Sequence, residues 1–189
     1  MKNFLIAILL TGLVINISWA QHFNLGIKGG LNVYNLTTNN VDNNPLTGFN
    51  LGLLGHVHLA DQLAIQPELV YSMQGAKLQS GAEVKLAYIN IPVLFQYMFD
   101  NGFRLQLGPQ IGLLSGAKST LNGVKTEIKN NYKGIDLSLS PGVGYVHPPS
   151  GFGVDLRYNF GLSNINKTDA IVTKNNGLQL GVFYLFKHN

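Results

Sequence analysis

Phe103-Arg104-Leu105-Gln106-Leu107-Gly108-Pro109-Gln110-Ile111-Gly112-Leu113-Leu114 sorts its side chains by parity. Phe103, Leu105, Leu107, Pro109, Ile111 and Leu113 form a face with no polar atom beyond the backbone. Arg104, Gln106, Gly108, Gln110 and Gly112 form the other, with Leu114 at its end. A repeat of two is that of a β-strand, whose side chains point alternately to opposite sides of a sheet. Runs of the same kind recur at roughly 23–34, 48–59, 63–74, 86–99, 135–146, 152–163 and 177–187, eight strands in all. In every run the non-apolar face is charged, amide-bearing or glycine-rich.

The connections alternate in length. Short turns fall at Ala60-Asp61-Gln62, Asp100-Asn101-Gly102 and His147-Pro148-Pro149-Ser150-Gly151. Longer polar segments fall at roughly 35–47, 75–85, 115–134 and 164–176. Asn-Gly tolerates the positive φ of a tight hairpin turn. Short turns on one side and long loops on the other are the pattern of a transmembrane β-barrel, with the short turns in the periplasm. The expected fold is therefore all-β: an eight-stranded antiparallel up-and-down transmembrane barrel with long outer loops.

Composition agrees. Charged residues make up only 12% of the 189, while the hydrophobic share is an ordinary 46% and glycines number 22. A barrel presents only every second residue to lipid, so it needs few charges but no excess of apolar residues. The outward set includes Phe49, Leu51, Leu53, Gly55, Val57 and Leu59, and also Phe152, Val154, Leu156, Tyr158, Phe160 and Leu162. A soluble barrel would turn its apolar face inward and its charges outward, and the polar face here is too poor in charge for a solvent surface. Aromatics gather near the short-turn end, at Phe23, Tyr97, Phe99, Phe103, Tyr145, Phe152, Tyr184 and Phe186, as in an interfacial girdle. Residues 1–20 read as a signal peptide: Met1-Lys2-Asn3, an apolar stretch Phe4 to Ile17, then Ser18-Trp19-Ala20 before the expected cleavage site. Residues 21–189 would form the barrel, in the outer membrane of a Gram-negative bacterium. Pro67, Pro92, Pro109 and Pro141 lie inside expected strands, and a closed barrel has no edge to accommodate them. Each requires a bulge or a local break in pairing.

Those prolines also carry a resemblance. Gln66-Pro67-Glu68-Leu69-Val70-Tyr71-Ser72, Tyr88-Ile89-Asn90-Ile91-Pro92-Val93-Leu94 and Gly108-Pro109-Gln110-Ile111-Gly112-Leu113-Leu114 resemble the PorT-type outer-membrane β-barrel family of Bacteroidetes-like bacteria. Gly142-Val143-Gly144-Tyr145 and Leu156-Arg157-Tyr158-Asn159-Phe160-Gly161-Leu162 extend the likeness over the mature chain. The resemblance implies an eight-stranded outer-membrane barrel. The founding member is associated with secretion of surface proteases; most members have no assigned activity, and the resemblance does not carry that role to this chain.

The inward face places Lys28, Glu68, Arg104, Asp136, Asp155 and Arg157 in the lumen. Eight strands enclose just enough space for side chains to fill, so these charges are expected to form a network, with Glu68 and Asp155 or Asp136 pairing Arg104 and Arg157. A narrow pore lined by the same residues is the alternative. His56 and His58 share an inward face without a third ligand, and Ser72, Ser138 and Ser140 face inward near carboxylates in no selective spacing. No enzyme activity, metal or cofactor is expected, and the absence of cysteine removes disulfides and thiolate ligands. The formal charge is +4, but Lys2 leaves with the leader and Lys118, Lys125, Lys129 and Lys133 are spread through one segment rather than packed into a patch, so no nucleic-acid partner is expected. Lys118, Lys125, Lys129 and Lys133, around Glu127, are the expected loop interaction surface. The function expected is a scaffold presenting loops for interaction, adhesion or secretion assistance. Its partners would be outer-membrane lipid and then envelope or secretion-system proteins or surface polysaccharide. A small-solute channel and a membrane-embedded hydrolase are the alternatives.

Overall fold

The computed structural model describes residues 23–39, 41–168 and 170–186. The expected signal peptide lies outside the described residues. Twelve strands follow in chain order: β1 (Phe23–Thr38), β2 (Val41–Asp42), β3 (Asn44–Ala60), β4 (Leu63–Lys77), β5 (Glu83–Met98), β6 (Phe103–Leu107), β7 (Pro109–Leu121), β8 (Val124–Glu127), β9 (Ile135–Leu139), β10 (Gly142–Val146), β11 (Phe152–Gly161) and β12 (Thr173–Leu185). All pairings are antiparallel. β1 pairs β3 on one side and β12 on the other, which closes the sheet. Around the ring β6 with β7 makes one stave and β9 with β10 another, so the wall has eight staves.

The two composite staves correct the expectation of unbroken strands at 103–114 and 135–146. The first is interrupted at Gly108 and the second at Ser140-Pro141. The interruption is in hydrogen bonding, not in register: across the break at Gly108 β5 keeps one register from β6 into β7, as β11 does from β10 to β9. Alternation therefore survives the break. Prolines are the cause, because each lacks an N–H. Pro67 keeps its pairing with Val93 on β5, while the β3–β4 ladder skips from Glu68 to Ile65. Pro92 keeps Gln110 on β7, while the β4–β5 ladder skips from Val93 to Asn90. Pro109 keeps Leu139 on β9, and at Pro141 the carbonyl still accepts from the Tyr158 N–H at 3.0 Å. The four prolines thus sit side by side on successive staves, and their interruptions merge into one diagonal seam.

The long loops are shorter than expected. Segments 35–47, 75–85 and 115–134 are largely strand, because the ladders of β1, β3, β4, β5 and β7 run on past the apolar band and β8 adds a hairpin. The short turns stand as read. Gly102 takes φ +89° in the Asp100-Asn101-Gly102 turn, where Asn101 Oδ1 accepts from the Phe103 N–H at 3.0 Å.

The two faces are placed as the alternation requires. Leu25, Leu31, Leu51, Leu53, Phe95, Leu107, Phe152, Leu156 and Leu180 point away from the lumen and are exposed. They form a band about ten residues long on each stave, the length a tilted strand needs to cross hydrocarbon. Among the described residues no helix is long and apolar enough to cross a membrane, and the strands do so instead. At the short-turn end Tyr97, Phe99 and Phe103 pack in series, with centroids 5.0 and 5.7 Å apart, as do Phe152, Tyr184 and Phe186 at 4.7 and 5.5 Å.

Leu53 lies near the middle of the band and is 57% exposed in the absence of lipid. Leu53→Arg is predicted to destabilise the barrel by about 2–4 kcal/mol in urea titrations from lipid vesicles. A soluble barrel would tolerate a charge at so exposed a position.

Candidate functional site

The lumen is filled in layers. Nearest the short-turn end, Gln96 Nε2 donates to Gln66 Oε1 and Gln106 Oε1, both at 3.0 Å. Arg104 Nη1 donates to Gln96 Oε1 at 3.1 Å and Gln66 Oε1 at 3.3 Å, and its guanidinium lies 4.6 Å from the Phe183 ring centre. His56 and His58 meet edge to face, centroids 4.6 Å apart. They line a cavity of about 290 Å³ with Asn24, Met98 and Arg104. Among the described residues no third His, Cys, Asp or Glu joins the two histidines in a metal-binding group.

The second layer is ionic. Glu68 accepts from Arg157 Nη2 at 2.6 Å and Nη1 at 2.8 Å, from Lys28 Nζ at 3.2 Å, and from Gln66 Nε2 at 2.6 Å. Asp155 accepts from Lys28 Nζ at 3.1 Å and Arg157 Nη2 at 3.2 Å. The side chains of all four charged residues are at most 2% exposed. Two cations and two carboxylates neutralise one another, and the Arg157–Glu68 pair has the two-pronged geometry that makes guanidinium–carboxylate contacts strong.

This divides the six expected lumen charges. Lys28, Glu68, Asp155 and Arg157 come together. Arg104 and Asp136 do not join an ion pair: Arg104 is held by amides and the Phe183 ring, with Nε and Nη2 unbonded. Asp136 accepts from Ser163 Oγ at 2.8 Å and Asn175 Nδ2 at 3.2 Å.

The third layer is an amide and hydroxyl network. Asn32 Nδ2 and Gln74 Nε2 donate to Ser72 Oγ at 2.8 and 2.9 Å, and Asn175 Nδ2 donates to Gln74 Oε1 at 2.6 Å. Asn159 Nδ2 donates to the Tyr34 hydroxyl at 2.7 Å, and Ser140 Oγ to Asn159 Oδ1 at 2.5 Å.

The sequence reading missed how such large side chains fit. Five of them sit opposite a glycine on the neighbouring stave: Arg157 opposite Gly142, Arg104 opposite Gly144, Phe183 opposite Gly153, Tyr34 opposite Gly177, and Asp155 opposite Gly181. A Cβ on Gly142 would lie 2.8 Å from Arg157 Cγ, and one on Gly177 would run into the Tyr34 ring.

The fourth layer is apolar and closes the outer end. Leu36, Ala76, Val84, Leu86, Tyr88, Leu114 and Ala117 pack around Ile165, with Leu78, Ile128 and Tyr132 against them. Ile165 comes from the segment after β11 and is fully buried. Backbone bonds hold it: its N–H donates to Thr173 O at 2.9 Å, its carbonyl accepts from the Lys133 N–H at 2.7 Å, and the Lys167 N–H donates to Asn131 O at 3.0 Å. Burial in this cap raises the pKa of the Tyr132 hydroxyl.

The four expected loop lysines are dispersed over three elements and the segment that follows them. Lys118 ends up in β7 and Lys125 in β8, both exposed. Lys129 lies in a short 3-10 turn, Lys129–Asn131, and its Nζ donates to Ser115 O at 3.0 Å. Lys133 is half-buried beneath Ile165.

Glu68 carries most of the ionic layer. Glu68→Ala leaves Lys28 and Arg157 sharing Asp155 alone, and a broken buried pair costs about 3–5 kcal/mol. That loss is predicted in reversible urea unfolding. Asp136→Asn, which removes no ion-pair partner and keeps one acceptor oxygen, is predicted to cost less than Glu68→Ala, about 1.5–3 kcal/mol, the range of a hydrogen bond to a charged group.

Residues 19–167 match a family model, the outer membrane protein beta-barrel domain. No curated protein matches the chain. Among solved structures, it is similar to neisserial surface protein A, at 16% identity and TM-score 0.62, covering 86% of this chain and 97% of that one. It is also similar to Ail, the attachment invasion locus protein of Yersinia pestis, solved with the heparin analogue sucrose octasulfate. There the identity is 17% and the TM-score 0.56, over 88% of this chain and all of Ail. At such identities the likeness is one of fold, an outer-membrane barrel. With the closed eight-stave wall, the apolar outer band and a model match over most of its length, this chain belongs to the outer membrane protein beta-barrel domain family.

Proposed function

We propose that this barrel is a non-conducting, non-enzymatic scaffold that holds a rigid interaction surface outside the membrane. The observation that carries this reading is the closed outer mouth, where Ile165 is inserted among the apolar residues of the cap. A solute would have to pass that plug and then the ionic layer. Among the described residues, Ser72, Ser138 and Ser140 are hydrogen-bonded to amide side chains rather than to a histidine or carboxylate, which supports a structural role for them.

The surface held outward is the β7–β8 hairpin. Leu121 and Val124 face one another across its tip and are 45% and 67% exposed, beyond the apolar band. Single exposed apolar residues are ordinary, but a pair at the tip of a fixed hairpin, beside Lys125, suits a protein partner. For a barrel of the outer membrane, an envelope protein is the partner within reach of that pair. The sulfated ligand on Ail raises polysaccharide instead, to which Leu121 and Val124 offer little. Export by removal of residues 1–20 belongs to the same proposal.

Two measurements test the reading. The purified barrel is predicted to be silent in planar bilayers; a steady single-channel conductance would overturn the scaffold. A photo-crosslinker at position 124 in whole cells is predicted to capture an envelope protein, while one at position 101, in a short turn, does not. Equal capture at both positions, or none at 124, overturns the hairpin as the contact.

A further inference from the structure

We infer that the outer wall between β5 and β7 binds the phosphate headgroup of an anionic lipid of the outer leaflet. The inference concerns the side of the wall, not the hairpin tip, and rests only on the barrel's place in the membrane. The β5–β7 register shifts between Ala87 and Tyr88, with Ser115 as the extra residue. A bulge bends the bulged strand and interrupts the ladder. Beside it Ala87 and Gly116 leave the wall hollow: a Cβ on Gly116 would meet nothing within 4 Å. The result is a cleft of about 400 Å³ lined by Lys85, Lys118 and Glu127 together with Tyr71, Ala87 and Gly116, among others.

Charge surrounds this cleft. Lys85 and Lys118 are direct cross-strand partners on the outward face. Like charges directly opposite destabilise a sheet. Glu83 offsets Lys85 at 2.8 Å, a hydrogen bond that lowers the Glu83 pKa, and Glu127 stands opposite Lys118. The Lys129 ammonium is anchored at Ser115 O, on the cleft lining. With Lys77 and Lys125 in the next row, five lysines face two glutamates on this sector. At comparable positions on β1 and β3 stand Asn35, Thr37 and Thr47, and β12 contributes Lys174 alone.

Position selects a lipid over a free anion. Lys85 is four residues beyond Ile89, which is on the lipid-facing wall. Four residues of tilted strand rise by about 10 Å, and the interfacial layer is about 5–8 Å deep on each side. A lysine stem reaches back along that distance to set its ammonium at phosphate level. Directly below the cleft, Tyr71, Ile89 and Leu113 continue the apolar wall, against which acyl chains of the same lipid would lie.

The test uses the full barrel in phosphatidylcholine nanodiscs doped with monophosphoryl lipid A, with retained lipid counted by native mass spectrometry. One lipid A per barrel is expected. Lys85→Gln with Lys118→Gln should reduce retention at least tenfold, as should Gly116→Val, which fills the cleft without touching charge. Lys174→Gln, on the other side of the wall, should retain lipid A like the parent. Slower migration of boiled than unboiled samples on a denaturing gel verifies that each variant is folded. Undiminished retention by the double variant overturns the inference, as does an equal loss in Lys174→Gln, which would mean adsorption by net charge. Full displacement by millimolar inorganic phosphate also overturns it, by showing a site for free anion.

Discussion

An eight-stave wall is just wide enough to need filling and too narrow to be left open. In hydrocarbon every backbone N–H and C=O must be paired within the wall, so the sheet must close and its faces must separate apolar from polar. Once the outward positions are given to lipid, the inward ones hold the polar residues, which have only one another as partners. The layers of the lumen are a collective solution to that confinement. Glu68 is its pivot, since it binds cations from two different staves and an amide from its own. The proline seam meets the same demand from the wall side: by lining up, Pro67, Pro92, Pro109 and Pro141 confine the lost donors to one diagonal rather than to four separate gaps.

Much of this was legible in the alternation. Parity alone separates the outward band from the inward residues, and it holds even across the breaks at Gly108 and Pro141. The breaks themselves were foreseeable only as a need, because which side of a proline loses its ladder depends on the register. The pairing of charges was less legible. Arg104 and Arg157 both face inward, yet only Arg157 reaches carboxylates: Asp155, two residues back on its own strand, is visible in the pattern, but the reach to Glu68 on another stave is not. The stagger of the staves decides this, and stagger leaves no mark in a single strand's pattern. The glycines were likewise visible as residues but not as partners. Gly142, Gly144 and Gly153 acquire meaning when the register sets Arg157, Arg104 and Phe183 against them.

The outer segments were misjudged for a physical reason. Beyond the bilayer both faces of a strand can meet water, so the apolar alternation fades while the backbone ladder continues. Polar stretches such as 75–85 therefore read as loops although β4 and β5 remain paired through Lys77 and Glu83. Ile165 shows the reverse case. It is an isolated apolar residue among asparagines, and nothing local distinguishes it from a surface residue. Its burial follows from the apolar ring that the extended staves leave at their inner face, which only a residue from another segment can cover.

Charge then separates the two halves of the molecule. The lumen holds Lys28, Arg104 and Arg157 against Glu68, Asp136 and Asp155, formally balanced. A balanced interior contributes little to the field outside it, and whatever excess positive charge the barrel has must lie on surfaces beyond the hydrocarbon. Among the described residues that excess is concentrated on β4, β5, β7, β8 and the turn after them. A solvating role alone would place lysines around the rim evenly. Their concentration in one sector, above a hollow formed by a bulge and two small residues, instead gives the barrel a preferred side. A barrel with a preferred side for anionic lipid is oriented about its own axis relative to its lipid neighbours, and a rigid hairpin rising from that sector is oriented with it.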